Sequence, residues 1–199
     1  MEAKALDGPS LKALAHPLRM RLLAELRYHG PATATGLGEA LGESSGATSY
    51  HLRVLAAHGF VVDDTAARGG RGRGRERWWR AAQDMTSWAS GEVGDDPEER
   101  AADDWLAGYL GRGAARRIDE WLARRGSVEP EWLAAGDQSD YRIVMTPEQS
   151  RAMMAEVHAV AVRYWEASGD ALAAAGPEAR DRARPVEFLF YAMPLDREA

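Results

Sequence analysis

The sequence predicts a mainly α fold with a small β component: a winged helix-turn-helix domain, then a mostly helical region containing a small β-α-β unit. Three observations carry this. Leucines recur at three-and-four spacing through the first half of the winged segment. Glycines at 30, 42 and 59 punctuate three helical stretches. A Gly- and Arg-rich run then lies between two short groups of β-forming residues.

Leu11, Leu14, Ala15, Leu18, Leu22, Leu23 and Leu26 mark an amphipathic helix over about 9–28, which Pro17 bends or divides near His16. Gly30 and Pro31 stop it. A short helix over 33–41 follows, with Leu37 and Leu41 one turn apart, and Gly42 marks a turn. Ser44 or Ser45 is positioned to cap a third helix running to about His58. After Gly59, Phe60, Val61 and Val62 open a strand, and Trp78 and Trp79 stand where its return strand is expected.

Beyond Gln83, Met85 and Trp88 suggest a helical turn or two, and Asp96, Pro97 and Glu99 make a helix start. Trp105, Tyr109, Ile118, Trp121 and Leu122 suggest an apolar stripe to about Arg125, with Gly111 and Gly113 as candidate breaks. A loop containing Trp132 leads to an expected strand at 141–145. Thr146 and Gln149 then form a capping-box pattern around Pro147, opening a helix to about Ser168 whose Met153, Met154, Val157, Val160, Ala161, Tyr164 and Trp165 are expected to face a core. An aromatic-rich last strand is expected over 186–193.

The chain has 199 residues, 45% hydrophobic and 28% charged, enough for one or two domains with a buried core. No apolar run is long enough for a membrane span, and the first ten residues offer no secretory core, so a cytoplasmic location and no membrane partner are expected. The absence of cysteine excludes disulfides, thiolate zinc sites and thiol nucleophiles. Net charge is −6, but it is unevenly placed: residues 1–83 carry twelve Lys or Arg against eight Asp or Glu, while residues 84–199 carry thirteen against twenty-three. A basic first part suits a polyanion-binding module, and an acidic remainder limits indiscriminate adhesion.

On the third helix as a wheel, Leu52 and Leu55 face inward with Thr48 beside them. Gly46, Tyr50 and Arg53 lie opposite, with Ser45, Ala47 and Ser49 nearer the edges. A helix enters the roughly 12 Å major groove only if its leading residues are small, after which Ser, Tyr and Arg reach phosphates and base edges. An ordinary solvated helix is the alternative. In the segment GGRGRGRERWWR, Arg71, Arg73 and Arg75 alternate with glycine or glutamate, preceded by Arg68 and followed by Arg77. Such a loop suits a phosphate rail or a narrow minor groove, with strongly salt-dependent binding. A flexible basic linker is its alternative.

LKALAHPLRMRLLAEL, then GESSGATSYHLRVLAAHGFV and the Arg-rich wing, together resemble the ArsR-type winged-helix repressors of bacteria over about residues 9–82. The resemblance implies a homodimer presenting two recognition helices (45–58) to double-stranded DNA, with the wing (68–77) on backbone or minor groove, and repression until a signal releases it. It implies groove contacts for Ser45, Ser49, Tyr50 and Arg53, and a groove-margin or phosphate position for His51, whose plain reading is a partly buried ring beside Leu52. It also divides the chain into a DNA-binding domain, 9–82, and a dimerisation and candidate effector region, 83–199.

Metal-sensing members of that group use cysteine pairs or His and carboxylate clusters. Here His16, His29, His51, His58 and His158 are scattered, so no metal and no cofactor are expected. The pairs Asp95-Asp96, Glu98-Glu99 and Asp103-Asp104 could be imagined around a hard cation, but are better read as acids favoured at a helix N-terminus. No G-x-S-x-G, P-loop or H-E-x-x-H pattern is present, and no enzyme is expected. Five of the seven tryptophans lie beyond residue 84, which with Met153 and Met154 suits a core, a dimer interface through Trp105, Tyr109, Trp121 and Leu122, or a pocket for a small apolar ligand. A winged module whose Arg loop binds an acidic protein is the alternative function.

Overall fold

The computed structural model describes residues 3–4, 6–66, 76–83, 85–86 and 94–196. The chain forms two compact units, Met1–Ala115 and Arg116–Ala199.

In the first unit, α1 (Gly8–Leu14) begins at Asp7, whose carboxylate accepts from Ser10 N at 2.9 Å. Pro17 divides rather than bends the expected first helix: it opens α2 (Pro17–His29), where its missing N–H costs nothing, and His16 caps the start. Strand β2 (Ala32–Thr33) precedes α3 (Ala34–Leu41), which ends on Gly42 at φ +69°, a left-handed conformation that glycine adopts without a Cβ penalty. Helix α4 (Ser45–Ala57) is capped by Ser44, whose Oγ accepts from Ala47 N at 3.2 Å. Gly59, at φ +72°, turns the chain into β3 (Val61–Asp63), which pairs antiparallel with β4 (Trp78–Ala81). The small sheet has the order β2-β4-β3, with Ala32 opposite Trp79 and Val62 opposite Arg80.

A separate parallel pair joins β1 (Ala3–Lys4) to β5 (Met85–Thr86), so Met85 lies in a strand and not in the expected helical turn. Trp88 and the wing residues Arg68, Arg71, Arg73 and Arg75 lie outside the described residues. Leucines of α1, α2, α3 and α4 pack with Phe60, Val61 and Trp79 into one core, which Ala102 and Leu106 of α5 (Pro97–Arg124) complete. Helix α5 runs unbroken through Gly111 and Gly113. Gly113 is buried, and helical packing outweighs the roughly 1 kcal/mol propensity cost of a glycine. Asp96 accepts from Glu98 N at 3.0 Å and from Lys12 Nζ at 2.7 Å, so this acid closes the helix start and ties it to α1. Each partner holds the other charged: the Lys12 pKa is raised and the Asp96 pKa lowered.

The second unit contains the end of α5, a 3-10 turn (Arg125–Ser127), α6 (Pro130–Ala135), α7 (Pro147–Ala174) and α8 (Gly176–Arg182). The capping box is present: Gln149 N donates to Thr146 Oγ1 at 3.3 Å, and Thr146 N to Gln149 Oε1 at 2.9 Å. Trp132 sits in α6 rather than in a loop. The expected β-α-β unit is corrected: its helix is there, but 141–145 and 186–193 are not strands. β-forming residues alone do not make a strand, because the ladder needs a neighbour, and neither segment pairs with another among the described residues. No described residue of this unit is buried, and Met153, Val160, Tyr164 and Trp165 of α7, expected in a core, are exposed.

No described helix is long and apolar enough to cross a membrane.

Candidate nucleic-acid interface

The helix-turn-helix is held closed by a close approach. A Cβ on Gly38 of α3 would stand 2.8 Å from Glu43 O and 3.3 Å from Thr48 Oγ1, so only glycine lets α4 lie this near. Glu43 N donates to Gly38 O at 2.8 Å across the same turn. Inside, Thr48, Leu52 and Leu55 are each 0% exposed. The buried Thr48 hydroxyl donates to Ser44 O at 3.0 Å, so burial leaves this hydroxyl with a partner.

The opposite face is open. Ser45, Gly46 and Arg53 are exposed, Tyr50 is 57% exposed, and Ala47 and Ser49 are half-buried at the edges. Arg53 Nε donates to Ser49 O at 3.0 Å, which aims the guanidinium back along the helix. Small residues lead and a ring and a cation follow, on a surface one helix wide.

His51 is half-buried. Its ring meets the edge of Tyr50 at 5.0 Å and lies 4.2 Å from His16, the cap of α2. His16 Nδ1 accepts from Leu18 N at 3.1 Å, whereas His51 Nδ1 is buried without a hydrogen-bond partner, as is the nearby Arg19 Nε. Burial first, then the Arg19 charge, lowers the His16 pKa. Burial, then His16 and Arg19, lowers that of His51, with Glu43 opposing in both cases. Both shifts favour the neutral form of the rings at the foot of the open face. This pairing was not read from the sequence, although a histidine directly before the Pro at a helix start is a legible cap position.

Of the wing, β3, β4, Glu76 and Arg77 are described. Arg77 Nε lies 3.1 Å from Asp63 Oδ2 and its guanidinium sits 5.1 Å from the centre of the Trp79 ring, which fixes it at the base of the hairpin. Next to it, Thr35 Oγ1 donates to Glu76 Oε1 at 3.1 Å, joining α3 to the start of the return strand. Arg68, Arg71, Arg73 and Arg75 are outside the described residues, so the structure brings together Ser45, Ser49, Tyr50, His51 and Arg53 on α4 and places Arg77 at the hairpin base. No group of three or more His, Asp or Glu positioned to hold a metal occurs among the described residues.

A small three-stranded antiparallel sheet beside a tight helix-turn-helix defines a winged helix-turn-helix. Residues 14–63 match the family model described as a helix-turn-helix domain. It is 45% identical over 67 residues to the HTH-type transcriptional regulator NmtR of Mycobacterium tuberculosis (strain ATCC 25618 / H37Rv), a match covering 34% of this chain and 55% of that protein. The chain thus spans about half the length of this curated relative. A crystal structure of a possible transcriptional regulator for arsenical resistance aligns over 67% of this chain and 99% of its own, at 24% identity and a TM-score of 0.30.

Proposed function

We propose that this chain is a sequence-specific DNA-binding transcriptional regulator of the cytoplasm, acting as a homodimeric repressor and not as an enzyme. In this reading α4 lies in the major groove and the Arg-rich wing, 68–77, grips the backbone or a narrow minor groove. Residues 9–82 form the DNA-binding module, and 83–199 serve dimerisation and, as a further candidate role, effector binding. The observation that carries the reading is the division of α4 into a fully buried apolar face and an exposed face of Ser45, Gly46, Tyr50 and Arg53. A helix that merely filled space would have no reason to lead its open face with small residues and follow them with a ring and a cation. The 45% identity to a transcriptional regulator across this same stretch supports it.

Selection of duplex fragments from a genomic library with the purified full chain tests the proposal. It predicts recovery of a pseudo-palindromic site whose half-sites are spaced about one helical turn or a multiple apart. Replacing Arg71, Arg73 and Arg75 together with alanine should weaken binding to every duplex and lower the slope of log affinity against log salt by about 3, one for each phosphate no longer neutralised. Recovery of no preferred sequence, with retention of acidic proteins instead, would turn the wing into a protein-binding module.

A further inference from the structure

The second unit is built like half of a folded domain. Its described residues include no buried side chain, while Tyr141 is 78%, Phe188 71% and Tyr164 69% exposed. The first unit, by contrast, exposes only Tyr28 and Tyr50 among its described large apolar residues. Six aromatic rings of the second unit, those of Tyr141, Tyr164, Trp165, Phe188, Phe190 and Tyr191, stand about half or more exposed.

Two of the apolar stretches are neither helix nor paired strand. Phe188 and Phe190 stack with centroids 6.2 Å apart and planes 6° from parallel, the relation of residues i and i+2 on one face of a strand, while Leu189 between them is less exposed. Residues 141–145 have the same run of β-forming side chains: Tyr141, Ile143, Val144 and Met145 are all exposed. Both segments have strand-like composition and no ladder. A ribbon of two strands is marginal in water, and three or more with an apolar face are needed for a stable sheet.

We infer that the second unit is completed by a second copy of this chain, in which segments 141–145 and 186–193 of each copy pair into a shared sheet that covers the Met153, Val160 and Tyr164 face of α7. A second copy fits for three physical reasons. It brings two more strands, making four, whereas a small apolar ligand cannot satisfy rows of backbone N–H and C=O groups. The segments carry one charge each, of opposite sign, Arg142 and Glu187, so that copies do not repel; Glu187 is already held by Arg117 at 2.8 Å. The area also suffices: at about 100 Å² of exposed surface per ring, the six aromatics alone offer on the order of 600 Å² per copy. Ile143, Val144, Val160, Val186 and Met193 carry this past the roughly 800 Å² per partner of a standard interface.

The inference rests on the dimeric part of the proposed function and not on DNA recognition, so it is tested without DNA. Sedimentation equilibrium of the full chain over a wide concentration range should give a species of twice the chain mass. Phe188→Asp should raise the dimer dissociation constant about thirty-fold or more, the effect of losing a central interface anchor. Because that variant could misfold locally, the unaltered protein provides a second reading. Amides of 141–145 and 186–193 should resist hydrogen exchange above the dissociation constant and exchange freely below it. A monomer at every concentration would overturn both this inference and the dimeric reading. A dimer that Phe188→Asp leaves unchanged, or whose amides in these segments exchange freely throughout, would overturn the shared sheet while leaving room for dimerisation elsewhere. Neither result would bear on whether fragment selection recovers an operator.

Discussion

The two units use the same kinds of residues differently. In the first, leucines spaced for helices meet inside one chain, and Leu14, Leu22, Leu23, Leu52, Leu55 and Phe60 are almost wholly removed from water. In the second, residues of equal apolar character remain at the surface, although α7 is long and well capped. Capping and propensity therefore suffice to define a helix, but not a fold, because most of the stability of a helix in a protein comes from what its apolar face is packed against.

This contrast can be broken most sharply at Leu52. Leu52→Ala should cost about 2–5 kcal/mol in urea unfolding, independent of protein concentration, because it leaves a cavity inside one chain. In the same assay the effect of Phe188→Ala should grow with protein concentration. Equal concentration dependence for both would erase the distinction between the units.

A smaller loss is expected at the turn. Gly38→Ala must push its new methyl against Glu43 O, and overpacking of this kind costs about 1–3 kcal/mol. Thermal unfolding would detect it, and an unchanged midpoint would mean that α3 and α4 can separate without penalty.

The smallest effect is a pH slope. The folded-state pKa values of His16 and His51 are lowered by burial, so the unfolded chain binds protons more readily. Their contribution to stability is then full above the ordinary histidine value near 6.5 and is lost as pH falls through the lowered folded values. Protonation also removes the Nδ1 acceptor for Leu18 N. His16→Asn keeps a capping side chain but cannot titrate, so its unfolding free energy should fall less steeply than the wild type's between pH 7 and 5. Parallel slopes would remove the histidine pair as the cause.

Much of the first unit was legible because local and tertiary signals agree there. The expected cap for α4 was Ser44 or Ser45, and the structure selects Ser44; the inward set of Thr48, Leu52 and Leu55 is the buried set. The chain could not announce the continuity of α5, since Gly111 and Gly113 are weak helix formers locally and the packing that overrides them lies in distant residues such as Leu14 and Leu22, which join Leu106 in one core. Nor could it announce the fate of 141–145 and 186–193. Their β-forming residues state a preference, while a strand is a relation between two segments. The candidate interface was half legible: the outer residues of α4 follow from a helical wheel, whereas the tilted ring contact of His16 with His51 joins positions 35 residues apart in sequence and has no periodic signature.

The claim that α4 reads base edges is tested most directly by titrating wild type and Arg53→Ala against the selected site and an unrelated duplex of equal length at fixed salt. A base contact is worth about 1–3 kcal/mol, so the preference for the selected site should fall roughly 5- to 150-fold in the variant while affinity for the unrelated duplex changes little. An unchanged preference would contradict the account, because the exposed face of α4 would then carry no sequence information.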